Sequence, residues 1–75
     1  MKTITQIIEL AGGDELIAQR LDLTVDNVRS KWPLRGVRDQ YWHTLIKLAE
    51  KRGHVITPAE IYEANRVVRR ALALT

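Results

Sequence analysis

The chain has 75 residues, no cysteine and a formal net charge of +3. A chain this short forms one domain with a modest core, and without cysteine it holds neither disulfides nor a cysteine-based zinc site. The first nine residues include Lys, Thr, Gln and Glu rather than the apolar run of a secretory signal, and no stretch approaches the roughly 20 apolar residues of a membrane span. We therefore expect a single cytosolic domain, residues 1–75, with no membrane partner.

The charge is distributed unevenly. Residues 1–28 carry two basic and five acidic side chains, whereas residues 29–52 carry seven basic and two acidic ones, a local excess of five positive charges. Such a block favours a polyanionic partner, because basic side chains release counterions from phosphates. The alternative is that the basic stretch is ordinary solvated surface.

Apolar residues recur at helical rather than strand spacing along the whole chain, which predicts an all-α fold, a compact bundle of about five helices. The first helix is expected from about Ile4 to Ala11, with Thr3 or Thr5 as its cap and Gly12-Gly13 as its stop. Its apolar stripe consists of Ile4, Ile7, Ile8 and Ala11.

The second helix is expected to be short. Asp14 and Glu15 suit its amino end, because negative charge there is favoured by the helix dipole. The helix extends through Leu21, and its buried side would be formed by Leu16, Ile17 and Leu21. The next three residues, Asp22-Leu23-Thr24, break the helical pattern.

The third helix is expected to begin at Val25, because the hydroxyl of Thr24 can satisfy the free amides at its start. It is expected to end at Trp32, because Pro33 disfavours continuation. Its inward positions would be Val25, Val28 and Trp32, which leaves a polar and partly basic outer face.

Two further helices complete the bundle. After a turn containing Leu34-Arg35-Gly36, a fourth helix is expected from about Asp39 to Lys51, with Gly53 as its stop. The segment Thr57-Pro58-Ala59-Glu60 combines a capping box with proline at the first helical position, so a fifth helix starts there and runs nearly to Leu74. The buried positions of the fourth helix would be Trp42, Leu45, Ile46, Leu48 and Ala49.

The segment from about Asp14 to Trp32 has the pattern of a DNA-binding helix-turn-helix, in which the second of two short helices lies in the major groove. Ala18 would sit where the two helices cross, and Leu23 and Val28 follow five and ten residues later, where they can wedge the pair together. Any small helical bundle can show this spacing, so a helical hairpin with no DNA role is the alternative.

The third helix offers candidates for reading base edges. Arg29 is the first choice, because arginine can donate two parallel hydrogen bonds to guanine. The further candidates are Thr24, Asp26, Asn27 and Ser30. Phosphate contacts position a protein without specifying sequence, and the candidates for them cluster around the following turn: Lys31, Arg35 and Arg38.

Other chemistries have weaker support. Trp32 and Trp42 fall on the apolar sides of their helices, which favours core packing over stacking on unpaired bases. His43 and His54 lie in different elements with no dense carboxylate cluster nearby, so no metal site is predicted. Neither a nucleophile with an evident base nor a glycine-rich phosphate loop is found, so we expect neither an enzyme nor a cofactor.

A set of residues between Ile7 and Ile61 forms a pattern with defined order and gaps. It consists of Ile7-Ile8-Glu9-Leu10, Gly12-Gly13, Ala18 to Leu21, Val28, Trp32, Gly36-Val37, Tyr41-Trp42, Leu45-Ile46, Ala49, Gly53 and Ile56-Thr57-Pro58. In this pattern the chain resembles the small Cro-like regulators of phages and prophages of the YdaS and carph-isopro type. Two positions depart from it: Asp22 stands where glycine is common in the turn, and Arg38 replaces the proline usual after Gly36-Val37.

The resemblance implies a λ-repressor-like or Cro-like fold and sequence-specific transcriptional control, with repression as the expected outcome. It also implies a dimer on a palindromic operator of double-stranded DNA. The expected location is the nucleoid region of the cytoplasm in a bacterial or phage-infected cell.

The tail of the fifth helix is more apolar than a lone surface helix needs. Under the regulator hypothesis it forms a homodimer that places two reading helices one DNA turn apart, roughly 34 Å. The rival hypothesis is a protein-interaction module, antitoxin-like or a phage adaptor, whose tail docks on another chain. The residues expected to make this contact are Val67, Val68, Ala71, Leu72 and Leu74.

Overall fold

The computed structural model describes residues 2–73, and within that range it contains five helices and no β-strand. The helices are α1 Ile4–Leu10, α2 Asp14–Leu21, a π-helical stretch Asn27–Lys31 that continues into α3 Trp32–Arg35, α4 Asp39–Lys51 and α5 Pro58–Ala73. Residues 25 and 26 are helical as well, so one continuous segment covers residues 25–35, here called the 25–35 helix. The all-α class predicted from the sequence is confirmed.

Side-chain caps start the first and last helices. At α1, the Thr3 hydroxyl oxygen accepts from the Gln6 amide at 3.1 Å, and the Gln6 side chain accepts from the Thr3 amide at 2.9 Å. Thr57 and Glu60 form the same reciprocal pair at α5, with distances of 3.2 and 3.0 Å. Each pair satisfies two amides that the helix itself leaves without an acceptor. The predicted capping box of α5 is confirmed, and Thr3 rather than Thr5 caps α1.

The core takes one apolar face from every helix. Most residues that the spacing predicts to be inward are fully buried: Ile4, Ile7, Ile8, Ala11, Ile17, Ala18, Val28, Trp32, Leu45, Leu48 and Ala49. Others pack against the core while remaining half-buried: Leu16, Leu21, Val25, Trp42 and Ile46. The core is completed by Val37, Ile56, Ile61 and Ala64. All of these side chains belong to one cluster, so the short helices are held together by a shared apolar interior.

The third helix is longer than the sequence predicts. The expectation that it ends at Trp32 is wrong, because the helix passes through Pro33 to Arg35, and Leu34 therefore lies in the helix rather than in a turn. A proline ring normally clashes with the carbonyl four residues earlier. Here the preceding turn is π-helical, and the Trp32 amide donates to the carbonyl of Asn27 five residues back. This wider turn gives the ring room, and Pro33 falls in the first turn of α3, where its missing amide is tolerated.

The loop between α3 and α4 is fixed to α5 by one buried amide. The side-chain oxygen of Asn65 accepts from the Val37 amide and its nitrogen donates to the Val37 carbonyl, both at 2.8 Å. The same carbonyl accepts from the indole nitrogen of Trp42 at 3.0 Å. A side chain at Gly36, where φ is 90°, would bring a Cβ within 2.8 Å of the Asn65 oxygen. Residues 36–38 therefore have a defined position relative to both neighbouring helices.

The start of the chain is tied to α5 as well. The Lys2 ammonium pairs with the Glu60 carboxylate, and this hydrogen bond is the main reason that the pKa of Glu60 lies below its ordinary value. Both side chains remain partly exposed. Exposed pairs of this kind contribute little to stability, so the pair orients the first residues more than it stabilises the fold.

Candidate nucleic-acid interface

A tight turn of residues 22–24 joins α2 to the 25–35 helix. Asp22 adopts the left-handed conformation, with φ 57° and ψ 45°, and the Leu23 amide donates to the Ala18 carbonyl at 2.8 Å. This bond closes the end of α2 in the manner of a Schellman motif. The Thr24 hydroxyl oxygen then accepts from the Asn27 amide at 3.2 Å, which confirms the predicted cap of the next helix.

The predicted apolar joint between these helices is present. Ala18 and Val28 are buried, and Leu23 packs half-buried against the core. Because Ala18 carries only a methyl group, the two helices can approach closely at this point. The joint leaves the remaining sides of the 25–35 helix on the surface.

One of those sides borders an open groove of about 300 Å³, here called the basic groove. Its lining consists of Leu23, Asn27, Lys31, Trp32, Arg35, Gly36, Arg38 and Tyr41. The structure thus brings together all three predicted phosphate contacts and one predicted base contact, Asn27. The three basic side chains are exposed, no carboxylate lines the groove, and none of the three forms an ion pair within residues 2–73.

The amino end of α4 lies at the same groove. Arg38 is the residue that precedes α4, and no side chain caps that end. The first amides of a helix carry a partial positive charge, and the exposed Asp39 in the first turn of α4 offsets part of it. The groove therefore suits an anion more than any other ligand class.

The aromatic side chains beside the groove belong mainly to the core. Trp32 is 5 % exposed and stacks on Tyr41, with ring centroids 5.7 Å apart. Trp42 is half-buried, and its indole nitrogen is engaged with the Val37 carbonyl. Both tryptophans therefore pack rather than project, as their positions in the sequence predict.

Arg29 does not lie in the basic groove. Asn27 and Arg29 are two residues apart, which places them on nearly opposite sides of a helix. The Arg29 side chain is 61 % exposed, and its Nε lies 2.6 Å from Oδ2 of Asp14 at the start of α2. This hydrogen bond is the main reason that the pKa of Asp14 is lowered and that of Arg29 raised. The carboxylates of Glu15 and Asp26 raise the Arg29 pKa further, so Arg29 has acidic surroundings.

The remaining candidate base contacts have partners within their own helix. The Ser30 hydroxyl donates to Oδ1 of Asp26 at 3.0 Å, and both side chains are exposed. Thr24 is also exposed, but its hydroxyl oxygen serves as the helix cap. The structure therefore separates the predicted contacts into the basic groove, with Asn27, and an opposite acidic side, with Arg29.

The residues proposed for dimerisation do not form one uniform face. Val67 is 53 % exposed and Ala71 and Leu72 are exposed, whereas Val68 packs half-buried against the core. Leu74 lies outside the described residues. Val67 borders a shallow surface with Glu63, Arg66, Arg69 and Arg70, so the exposed part of this helix is apolar and basic in alternation.

Sequence reasoning missed two partners of the site. From the sequence, Asp14 is expected only to interact with the dipole of α2. Its contact with Arg29 spans 15 residues, and no helical spacing reveals it. Asn65 was not assigned at all. Its position offered a signal, since it lies four residues after Ile61 and three before Val68 on the apolar stripe of α5.

Comparison of the chain with protein-family models, curated proteins and solved structures finds no match. In the described part of the chain, no cluster of three or more His, Asp or Glu side chains could hold a metal ion. Within residues 2–73 no helix has the length and apolar character needed to cross a membrane. The surface of the 25–35 helix remains the most informative feature of the molecule.

Proposed function

We propose that the protein is a sequence-specific regulator that binds double-stranded DNA, a repressor of the Cro-like kind that its sequence resembles. In this proposal α2, residues 22–24 and the 25–35 helix act as a helix-turn-helix, and the 25–35 helix enters the major groove. The observation that carries the proposal is the basic groove. Its lining includes three exposed cations and no carboxylate, and it borders the second helix of such a pair.

The basic groove is assigned to the phosphate backbone. Lys31, Arg35 and Arg38 form no ion pair within residues 2–73, so their charges are available to phosphates. The uncapped amides of α4 add donors of the kind that bind phosphate at helix ends. These contacts set affinity and orientation, and they carry no sequence information.

The opposite side of the helix is assigned to base reading. The carboxylates around Arg29 would repel a phosphate, whereas a guanine edge is neutral and offers two acceptors. Ser30 and Asp26 lie one turn or less from Arg29 and are exposed, so they supply further donors and acceptors. Sequence preference is therefore expected to depend chiefly on Arg29.

A homodimer completes the proposed regulator. Two-fold symmetry of the protein would match a palindromic operator, and the exposed Val67 on α5 supplies an apolar surface for the second copy. A second candidate function uses the same surface: an interaction module, antitoxin-like or a phage adaptor, would dock α5 on a different protein. Either interaction would use the exposed Val67.

The first prediction concerns Arg29. Selection of bound duplexes from a random pool, run with wild type and Arg29→Ala at physiological salt, should enrich a short palindrome with wild type that the variant no longer selects in full. The variant should lose about 1 to 3 kcal/mol of binding free energy at the enriched sequence and relax one position of it, because one bidentate base contact is removed. Failure of the wild type to enrich any sequence would overturn the regulator proposal and leave the interaction module in its place.

The second prediction concerns the basic groove. The combined substitution Lys31→Gln, Arg35→Gln and Arg38→Gln should weaken binding to all duplexes alike. It should also flatten the dependence of log affinity on log salt by about 0.9 for each phosphate that the protein no longer neutralises. Lys51→Gln at the far end of α4 removes an exposed charge outside the groove and serves as the control. A salt slope that is equal in the triple variant and the control would contradict the assigned phosphate role.

A further inference from the structure

The contact between Asp14 and Arg29 crosses the proposed helix-turn-helix. It joins the first residue of α2 to the middle of the 25–35 helix, with 2.6 Å between Oδ2 and Nε. The two residues are 15 positions apart, so the pair is not one of the common contacts within a helix. It fixes the base-reading candidate to the other helix of the pair.

The carboxylate of Asp14 is partly buried at the start of α2. It lies in the first turn of that helix, its side chain is 25 % exposed, and the preceding Gly13 provides no side-chain cap. The hydrogen bond from Arg29 is the main reason that the pKa of Asp14 is lowered, so the group stays charged near neutral pH. Asp14 is thus a charged acceptor that is less exposed than the arginine it contacts.

The contact uses only part of the Arg29 guanidinium. This planar group has five N–H donors, and the described contact is made by Nε. The edge formed by the two terminal nitrogens keeps its donors, and that edge has the geometry for the two acceptors of guanine. An arginine held at Nε also loses less rotamer freedom when it binds a base.

We propose that Asp14 is a positioning residue for base recognition, which holds Arg29 in the orientation that selects guanine. This inference rests on the proposed function. It assigns Asp14 a role opposite to that expected from charge alone, because a carboxylate near DNA lowers affinity for every sequence. Asp14 therefore reduces general affinity and increases discrimination.

The experiment compares wild type, Asp14→Asn and Glu15→Gln on the selected duplex, on its three single-base variants at the position that Arg29→Ala relaxes, and on an unrelated duplex. Glu15→Gln removes the same charge one residue further on without the contact to Arg29. Both variants should bind the unrelated duplex more tightly than wild type. Only Asp14→Asn should lose discrimination at the Arg29 position, by at least about fivefold out of the roughly 5- to 150-fold that one base contact supplies.

A second measurement reports on the free protein. The Arg29 Nε–H should exchange with solvent more slowly in wild type than in Asp14→Asn, as measured by nuclear magnetic resonance. The backbone amide signals of the same spectra show whether the variant is folded. Discrimination that is unchanged or increased in Asp14→Asn would overturn the positioning role. Asp14 would then only repel DNA or keep Arg29 from contacting it. A wild type that enriches no sequence would overturn the proposed function, and the positioning role with it.

Discussion

Asn65 lies on the apolar face of α5, yet its amide fixes the loop that carries Arg38. Its two hydrogen bonds satisfy the amide of Val37 and one lone pair of the Val37 carbonyl. The carbonyl keeps a second donor in Trp42, whereas the amide has no other acceptor among the described residues. Within residues 2–73, Asn65 is the one polar side chain that is fully buried. Its contribution is therefore the satisfaction of a buried backbone group.

Replacement of Asn65 by leucine should destabilise the fold although the volume is similar. Both hydrogen bonds of the Asn65 amide are lost, and the Val37 amide becomes a buried donor without an acceptor, which together cost about 2 to 4 kcal/mol. The measurement is urea unfolding followed by circular dichroism. Gln19→Leu, a polar-to-leucine change at an exposed position of α2, is the control. Similar midpoints for the two variants would show that the amide bonds of Asn65 contribute little.

At the scale of elements, the joint between α2 and the 25–35 helix depends on one unusual backbone conformation. Asp22 is the one non-glycine residue with positive φ within residues 2–73. Aspartate tolerates this conformation better than most residues but less well than glycine. The turn between the two helices thus contains a residue under mild backbone strain.

Two substitutions at position 22 separate the effect of backbone strain from the effect of the carboxylate charge. Asp22→Gly and Asp22→Ala both remove the carboxylate, but only alanine carries a Cβ into the left-handed region. The glycine variant should be more stable than the alanine variant by about 1 kcal/mol, because the left-handed conformation costs alanine about 1 to 2 kcal/mol and the greater unfolded-state entropy of glycine offsets part of that. Thermal unfolding of the two variants measures the difference, and equal midpoints would refute the strain.

The elements were predictable wherever a local rule determines them. The starts of α1, α2 and α5 and the end of α1 follow from caps and glycines, and the buried faces follow from apolar spacing. The passage of the third helix through Pro33 was not predictable, because it depends on a π-helical turn that no local pattern specifies. The basic side of the 25–35 helix could be predicted from the sequence. The acidic side could not, because the partner of Arg29 comes from α2.

At the scale of the whole molecule, the proposed contact between two copies of the chain is made by α5. Val67 and Val55 are both exposed valines, at 53 % and 74 %. Only Val67 lies on the helix proposed to bind a second copy, whereas Val55 precedes α5 in a loop. The two positions form a matched pair for the same substitution.

Val67→Glu should convert a dimer to a monomer, and Val55→Glu should not, as measured by sedimentation equilibrium. A charge brought into the contact between two copies loses hydration, which is costly. Loss of the dimer should reduce affinity for the palindrome by about 100-fold or more while leaving affinity for a half-site unchanged, because the gain from linked binding is lost. A wild type that is monomeric at all concentrations, with unchanged operator binding in Val67→Glu, would refute the homodimer and favour a different protein partner.

The close approach of Gly36 to Asn65 restricts which substitutions the chain can accept at these two positions. Any side chain at position 36 must displace the Asn65 oxygen, which a Cβ would meet at 2.8 Å. The backbone there, with φ 90° and ψ 177°, strongly favours glycine. Neither residue can be exchanged alone without releasing the loop that carries Arg38. In a lineage of related proteins the two positions should therefore covary, so that they are retained together or replaced together.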